Sequence, residues 1–483
     1  MYNSAKCNSN QSRRAGIWQG LKAGKSAMKK QLSNIQVIAW ALPGMVLSLS
    51  MVPVNAVLPT LYAQHARVTL TAVGTIFLLR SIYDAFSDQL IGFLSDRTRT
   101  RIGARLPWIL SGGVVTVVGT LMLFRVPADA GVVYFAVWTL VYFTGSTMVG
   151  IPYMAWGSEL TSDYAERSRV FAFKGFFESV GSMLFSVIPI VVVFFGIMES
   201  TEYSLDMVWL LAMIILVAMP LTLWGAFALA PRGLVRRKPG TTLITLYRSV
   251  KGNRPFQRFF LAYVVAGTGY GFFVALVYPF VASYLGIADS FPMILLVTTI
   301  CSLAGIPVWT RIVYLLGKHR AWGWGWLANS LVLIPMIWVK PGESAVIPTA
   351  VMMGLYGLTN SVSFIAPYSI LGDVVDFDRM KTGVDRGGNY YAFMMFSVKL
   401  LGSSGGLALI LLGSLFGYDL AENAVNSDFA NAGMLYMFIL APGLFQMASI
   451  LLIWNFPIDA RRQAIIRRRL ECTDARSLRD SLL

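Results

Sequence analysis

The sequence predicts an all-α membrane protein: twelve transmembrane helices in two six-helix bundles, with both termini cytoplasmic. Three observations carry this expectation. Of 483 residues, 56% are hydrophobic and only 13% are charged, against roughly 25% charged in soluble domains. Apolar runs long enough to cross a hydrocarbon core of about 30 Å as a helix recur from one end of the chain to the other. The basic residues, finally, are sorted between alternate loops.

Taken in order, the chain opens with a basic arm, 1–34, holding Lys6, Arg13, Arg14, Lys22, Lys25, Lys29 and Lys30. The arm has no short apolar core with a cleavage site, and it is expected to lie on anionic lipid at the cytoplasmic face. Six predicted spans follow within 35–230, at 36–62, 69–94, 107–125, 131–157, 169–196 and 206–230. A basic central loop, 231–256, separates them from six more within 257–456, at 257–285, 291–316, 321–339, 344–371, 388–416 and 430–456. The tail, 457–483, is basic again through Arg461, Arg462, Arg467, Arg468 and Arg469.

The loops after the second, sixth and eighth spans carry Arg97–Arg105, Arg232–Arg258 and Lys318–Arg320, whereas the alternate loops hold only Arg67, Arg125 and Lys340. This is positive-inside sorting, and with an even number of spans it directs both ends to the cytoplasm. It explains the net charge of +16 without a nucleic-acid partner. Cys7, Cys301 and Cys472 are scattered without metal or redox spacing. His65 and His319 fall in predicted loops. With no Gly-rich phosphate loop either, no cofactor and no enzymatic activity are expected.

The two halves repeat one another. IPYMAWGSELTSD (151–163) aligns with APYSILGDVVDFD (366–378), matching Pro152 with Pro367, Tyr153 with Tyr368, Gly157 with Gly372 and Asp163 with Asp378. After the second span of each half, Gly92, Gly103 and Arg105 have counterparts in Gly305, Gly317 and Arg320. The offsets, 366 − 151 = 215 and 305 − 92 = 213, favour one duplication over coincidence. Parallel six-plus-six repeats organise major facilitator transporters, whose binding site lies near the bilayer midplane between the halves.

A charge at the centre of a bilayer helix costs roughly 2.5–3.5 kcal/mol on insertion scales. Asp84 and Asp88 on the second span are therefore expected to face a cavity. At about 1.5 Å per residue, Asp84 lies about 22 Å along its span, and Asp88 follows one turn later on the same face. They could share a cation or a proton; alternatively, Arg80 could pair with Asp84 purely to pin helices together. Lys399, in YYAFMMFSVKLLGSSGG, is too deep in the eleventh span to snorkel easily, which makes it a charge partner for those carboxylates. Lys174 and Glu178 form another i,i+4 pair on the fifth span, facing either each other or a solute. Asp96, Arg97 and Arg105 mark a surface loop of gating or structural type, with Gly92 expected to permit close helix approach. Asn55, Tyr270, Asn360 and Gln446 are mid-span polar residues suited to interhelical hydrogen bonds; Asn360 and Tyr270 rank first as solute contacts.

These residues resemble the glycoside–pentoside–hexuronide:cation symporters, the melibiose-permease-like family of the major facilitator superfamily. YDAFSDQLIG is similar to that family's second-helix cation motif, LGDVVDFDRMKTGVDRGG to its loop before the eleventh helix, and FPIDARRQAIIRRRL to its ending. The resemblance implies Asp84 and Asp88 as ligands of the coupling cation, H+ or Na+, with Lys399 as their charge partner. It places Lys174 where the family has a fifth-helix arginine that helps bind sugar. Departures bear on the substrate: Ser48 stands for a first-helix aspartate of the galactoside carriers, Gly150 for a fourth-helix aspartate, Met154 for a nearby tryptophan, and Gln89 for the usual proline. Two carboxylates with fewer oxygens around them suit H+ at least as well as Na+.

The expected function is cation-coupled symport of a small solute, a sugar or glycoside, by alternating access in a bacterial inner membrane. The protein is expected to act as a monomer. A same-fold carrier of lysolipid is the alternative, since the polar sugar ligands are depleted. A solute receptor without transport is the third reading.

Overall fold

Apolar stretches with a hydroxyl at their entrance become helices throughout. Ser33, Thr69, Ser204 and Ser427 each accept a hydrogen bond from the backbone N–H three residues on, satisfying one of the donors that every helix start leaves open. The structure is a computed structural model that describes residues 32–66, 68–127, 129–161, 163–231, 251–384, 386–421 and 424–480. The side chains of 164–165, 392, 395–396, 399–400 and 474–480 are outside that description, so Lys399 is placed by its backbone alone. The basic arm from Lys6 to Lys30 and the central-loop residues 232–250 also lie outside the described residues.

The helices of the first half are α1 (Asn34–Ala56, resumed as Leu58–His65), α2 (Leu70–Arg97), α3 (Leu106–Phe124), α4 (Val132–Glu159), α5 (Tyr164–Phe194) and α6 (Leu205–Leu229). The second half has α7 (Arg254–Pro279, extended by a π-turn Phe280–Tyr284), α8 (Phe291–Leu316) and α9 (Lys318–Leu333). It continues with α10 (Val346–Asn360, then Ala366–Thr382), α11 (Gly387–Ser414) and α12 (Asp428–Leu435, then Ala441–Ile453). A final helix, α13, covers Ala460–Asp480. The described residues are helical or loop, and nine of these helices are long and apolar enough to cross a membrane. Charge sets α2 apart: Arg80, Asp84, Asp88, Asp96 and Arg97 all fall within it. Brevity sets α9 apart, whose 16 residues give way to a 3-10 stretch at Ile334–Trp338.

Packing repeats with an offset of six helices. α1 packs on α5 and α6 as α7 packs on α11 and α12; α2 meets α4 as α8 meets α10; α3 meets α4 and α6 as α9 meets α10 and α12. The contacts between halves obey the same rule, with α2 against α11 and α8 against α5. An internal duplication accounts for both sets.

The halves touch most closely at one end, where α2 begins and α11 ends. A Cβ on Gly74 would lie 2.5 Å from the Gly406 carbonyl oxygen, and one on Gly406 would lie 2.5 Å from that of Gly74. A Cβ on Gly413 would come within 2.8 Å of Thr71 Oγ1. Only glycine lets the two backbones approach this far, as small residues do at membrane helix interfaces. At the same end, Ser200 and Thr201 donate hydrogen bonds to Asp289 across the halves. Tyr203, fully buried, has its ring centroid 6.1 Å from Tyr278 and 6.0 Å from Phe291 of the other half.

Three expectations are corrected. His65 ends the second segment of α1, and His319 sits buried in the first turn of α9, so neither lies in a loop. Gly92 is not needed for close approach, because an added Cβ would meet Ile151 Cγ2 at an ordinary 3.6 Å. The counterpart of Arg105 is Lys318 rather than Arg320: Lys318 Nζ reaches both oxygens of Asp373 at 2.7 Å. Arg105 Nη2 meets Glu159, 214 residues before Asp373 (373 − 159), at 2.9 Å.

Candidate functional site

Arg80 is the centre around which four helices meet. It is 7% exposed, and a guanidinium that dry needs several partners. Its Nη1 donates to Asn55 Oδ1 of α1 at 3.0 Å, and its Nε lies 3.6 Å from Asp84 Oδ2 one turn along α2. Its charge sits 3.6 Å over the Phe143 ring of α4 and 5.1 Å from the Phe77 ring. Cation–π contact of this kind stabilises a desolvated arginine by about 2 kcal/mol. From the other half, a Cβ on Gly402 of α11 would lie 3.8 Å from Arg80 Nη2. Asn55 is oriented for the task, since its Nδ2 donates to the Met51 carbonyl at 2.8 Å.

Asp84 is buried and Asp88 half-buried, one turn apart on the face of α2 that also buries Ser81 and Ser87. The glycine seam between α2 and α11 engages Thr71, Gly74, Phe77 and Leu78, and ends beside Arg80 and Ser81. The two carboxylates are thus the next groups along α2 once the seam stops. The Arg80–Asp84 pair expected as one possibility is present.

The second cluster lies on α5. Lys174 and Glu178 are hydrogen-bonded to each other, and the Lys174 ammonium is 6.0 Å from the centre of the Tyr153 ring. Tyr153 is fixed by donating to the Trp40 carbonyl at 2.6 Å and by stacking on Trp40 at 4.7 Å. A single stripe of α1 serves both clusters. A Cβ on Gly44 would lie 3.3 Å from Glu178 Cγ, Ser48 Oγ is 2.7 Å from Ser182 Oγ, and Asn55 holds Arg80. Spacings of four and seven residues place 44, 48 and 55 on one helical face.

Gly150 and Met154 lie one turn apart on α4. An added Cβ on Gly150 would meet nothing within 4 Å, and Met154 is 45% exposed. Asn360 is the last α-helical residue before α10 breaks into the 3-10 stretch Ser361–Phe364, while Tyr270 on α7 is 45% exposed. Neither has a hydrogen bond to the charged clusters among the described residues. Gln446 is a packing residue, buried and accepting from Ser330 Oγ at 3.1 Å. A cavity of about 390 Å³ opens between the halves, lined by Leu78 of α2, by Phe260, Val264 and Thr268 of α7, and by Leu401 and Leu407 of α11.

At the other end of α2, Arg105 binds Glu159 and Asp96 and donates to Ser95 Oγ at 3.0 Å. Burial pulls the Arg105 pKa down, but its bonds to Glu159 and Asp96 outweigh this and hold it above the ordinary arginine value. Arg97 packs over the Phe93 ring at 3.7 Å. Sequence reasoning missed Asn55 as the partner of Arg80, and missed Phe143 altogether. The signal for the second was chemical: an intramembrane arginine needs aromatic faces nearby.

Residues 39–460 match the family described as MFS/sugar transport protein. The chain belongs to that family. This MFS transporter, a multi-pass integral membrane protein and not an enzyme, is 23% identical to the glucuronide carrier protein homolog of Escherichia coli (strain K12), covering 90% of this chain and 95% of that one. It is 22% identical to the sodium-dependent lysophosphatidylcholine symporter 1-A of Danio rerio, over 82% of this chain and 81% of the relative. Among solved structures, the nucleoside transporter NupG superposes with a TM-score of 0.59 at 11% identity, covering 88% of this MFS transporter and 98% of the NupG chain.

Proposed function

We propose that this protein is a cation-coupled symporter that carries a small polar solute, a sugar or glycoside, by alternating access. In this reading residues 35–230 and 257–456 are two six-helix bundles that rock about a central site, joined by the basic loop 231–256. The same reading has twelve spans oriented positive-inside in a bacterial inner membrane, with both termini in the cytoplasm. The observation that carries the reading is the position of Asp84 and Asp88: between the bundles, directly beyond the glycine seam. The seam, Tyr203 and Asp289 close the outer end, so the carboxylates face the cytoplasmic side and the conformation is inward-facing.

The cation, H+ or Na+, binds Asp84 and Asp88. Arg80 is their resident counter-charge in its absence, and Lys399 of α11 adds a second positive charge from the opposite bundle. Solute binding falls to Lys174, held by Glu178 and Tyr153, and to Asn360 at the α10 break, with Tyr270, Gly150 and Met154 lining the path. Helix breaks near the midplane free backbone groups for ligands. The gradient supplies about 2.3 kcal/mol per charge per 100 mV.

A second reading, carriage of an amphiphile such as a lysolipid, is favoured by the cavity between α2, α7 and α11, whose surface is mostly apolar although Thr268 and three serines of α11 also line it, and by the lysophosphatidylcholine symporter among the relatives. Proteoliposomes under imposed Na+ or H+ gradients separate the readings. A labelled sugar or glycoside that accumulates only with a gradient supports the first; lysolipid alone accumulating supports the second. If neither accumulates nor exchanges in counterflow, both are wrong.

A further inference from the structure

The last helix, α13, carries a basic cavity that the transport reading leaves unused. Its inner side is set by Gln463 and Ile466, both buried, and by half-buried Leu470, which packs against the second-half core. Gln463 Nε2 donates to Asp376 Oδ2 of α10 at 2.8 Å, and Arg467 Nε lies 3.9 Å from the same carboxylate. These contacts dock α13 onto the Thr382 end of α10. Beyond them the two helices part around a cavity of about 590 Å³, with Phe377, Met380 and Lys381 on one side and Arg468, Arg469 and Cys472 on the other.

The charges there are unbalanced. Arg467 has Asp376, but among the described residues no carboxylate comes within 4 Å of Lys381, Arg468 or Arg469. Three exposed cations line one cavity, so an anion seated there is attracted by all three. The floor is apolar, through half-buried Phe377 and Met380, and the cavity opens where a membrane-spanning helix ends. A freely soluble anion gains nothing from that floor. A lipid gains from both parts, and basic pockets beside helix ends take phospholipid headgroups.

We propose that this cavity binds one anionic phospholipid, its phosphate held by Lys381, Arg468 and Arg469 and its glycerol end against Phe377 and Met380. The bound lipid ties α13 to α10. The proposal does not depend on which solute is carried.

The test is retention of phosphatidylglycerol by the full-length protein, compared with phosphatidylcholine, in native mass spectrometry and in vesicle-binding titrations. At about 1 kcal/mol per basic residue, Arg468→Gln, Arg469→Gln and Lys381→Gln should each weaken phosphatidylglycerol binding about fivefold, and the Arg468→Gln/Arg469→Gln double variant about 30-fold. Arg461→Gln, also exposed on the same helix but outside the cavity, should leave it unchanged. Equal loss in Arg461→Gln would reduce the effect to diffuse surface charge and overturn the site. Displacement of the lipid by equimolar inorganic phosphate would instead identify a soluble-anion site and overturn the lipid assignment.

Discussion

α2 and α8 occupy equivalent places in the two halves, and they have diverged in opposite directions. With the 213-residue offset, Asp84 corresponds to Val297 and Asp88 to Cys301. On α8 those two side chains are packing atoms: a Cβ added to Gly354 of α10 would lie 3.3 Å from Val297 Cγ1 and 3.2 Å from Cys301 Sγ. On α2 the same positions hold carboxylates beside a buried arginine. The duplication kept the helix and its neighbours but left the two carboxylates in one copy only. Membrane insertion penalises such charges, so their persistence on α2 points to use rather than architecture. α8 shows that the architecture does not require them.

The largest expected effect tests that contrast directly. Asp84→Asn or Asp88→Asn should abolish gradient-driven accumulation in proteoliposomes while leaving solute counterflow measurable, because exchange needs no net cation movement. Cys301→Ser should leave accumulation unchanged. Wild-type accumulation in Asp88→Asn would remove that residue from coupling.

The next comparison concerns what the halves share. Arg105–Glu159 and Lys318–Asp373 pin the same helix ends in each half, yet the first is drier. The Arg105 side chain is 11% exposed and Glu159 9%, whereas Lys318 is 30% exposed. Removing Glu159 takes away the buried partner and leaves the Arg105 charge to the exposed Asp96 carboxylate and the Ser95 hydroxyl. Glu159→Gln should therefore cost about 3 kcal/mol in unfolding free energy. Asp373→Asn should cost about 1 kcal/mol, since Lys318 can rehydrate. The Arg105 pKa is raised on folding, so its contribution is fully present below the ordinary arginine range and disappears only as pH rises above it. A thermal-unfolding series in mildly alkaline buffer should show no loss from this arginine. Equal costs at Glu159 and Asp373 would refute the burial argument.

Much of this was legible in the sequence, for reasons that differ by residue. The spans could be read because apolar length is local, and the repeat because Pro152/Pro367 and Gly157/Gly372 lie in matched positions. The matched residues do not all keep matched roles. Tyr153 is fully buried against Trp40, while Tyr368 is 43% exposed. A Cβ on Gly157 would strike the Trp40 ring at 2.2 Å, whereas one on Gly372 would meet only Tyr391 Oη at 3.8 Å. Asp84 and Asp88 stood out because charge in an apolar run is conspicuous. Asn55 and Phe143 did not, because their role depends on how α1 and α4 are rotated toward Arg80. Lys318 was passed over for Arg320 because matching residue type to Arg105 ignores where the helix begins: Lys318 opens α9 and faces Asp373.

The seam between the halves offers a smaller effect. Gly406→Leu would drive side-chain atoms into the Gly74 backbone, and overpacking of this kind costs about 1–3 kcal/mol. Part of that strain is relieved by parting α2 from α11, so a cysteine placed by Thr71→Cys should react faster with a membrane-impermeant thiol reagent. Gly388→Leu, near the opposite end of α11 with nothing within 4 Å of an added Cβ, is the control and should not change the rate. Unchanged labelling in Gly406→Leu would show that the seam does not gate the end proposed to face outward.

The smallest effect on stability, and the sharpest on substrate, is expected within α4 itself. Gly150 and Gly157 lie two turns apart, yet a side chain at 157 meets Trp40 whereas one at 150 meets open space. Gly157→Ala should destabilise through that collision, while Gly150→Asp should escape the roughly 2.5–3.5 kcal/mol that a carboxylate facing acyl chains costs, because it is proposed to face the solute path. Gly150→Asp also supplies the fourth-helix carboxylate that distinguishes galactoside carriers, at a point proposed to line the path. Galactoside counterflow should therefore appear or rise in this variant relative to wild type, with the cation requirement unaltered because Asp84 and Asp88 are untouched. A variant that folds as well as wild type but exchanges the same solutes at the same rates would place the pathway away from this face of α4.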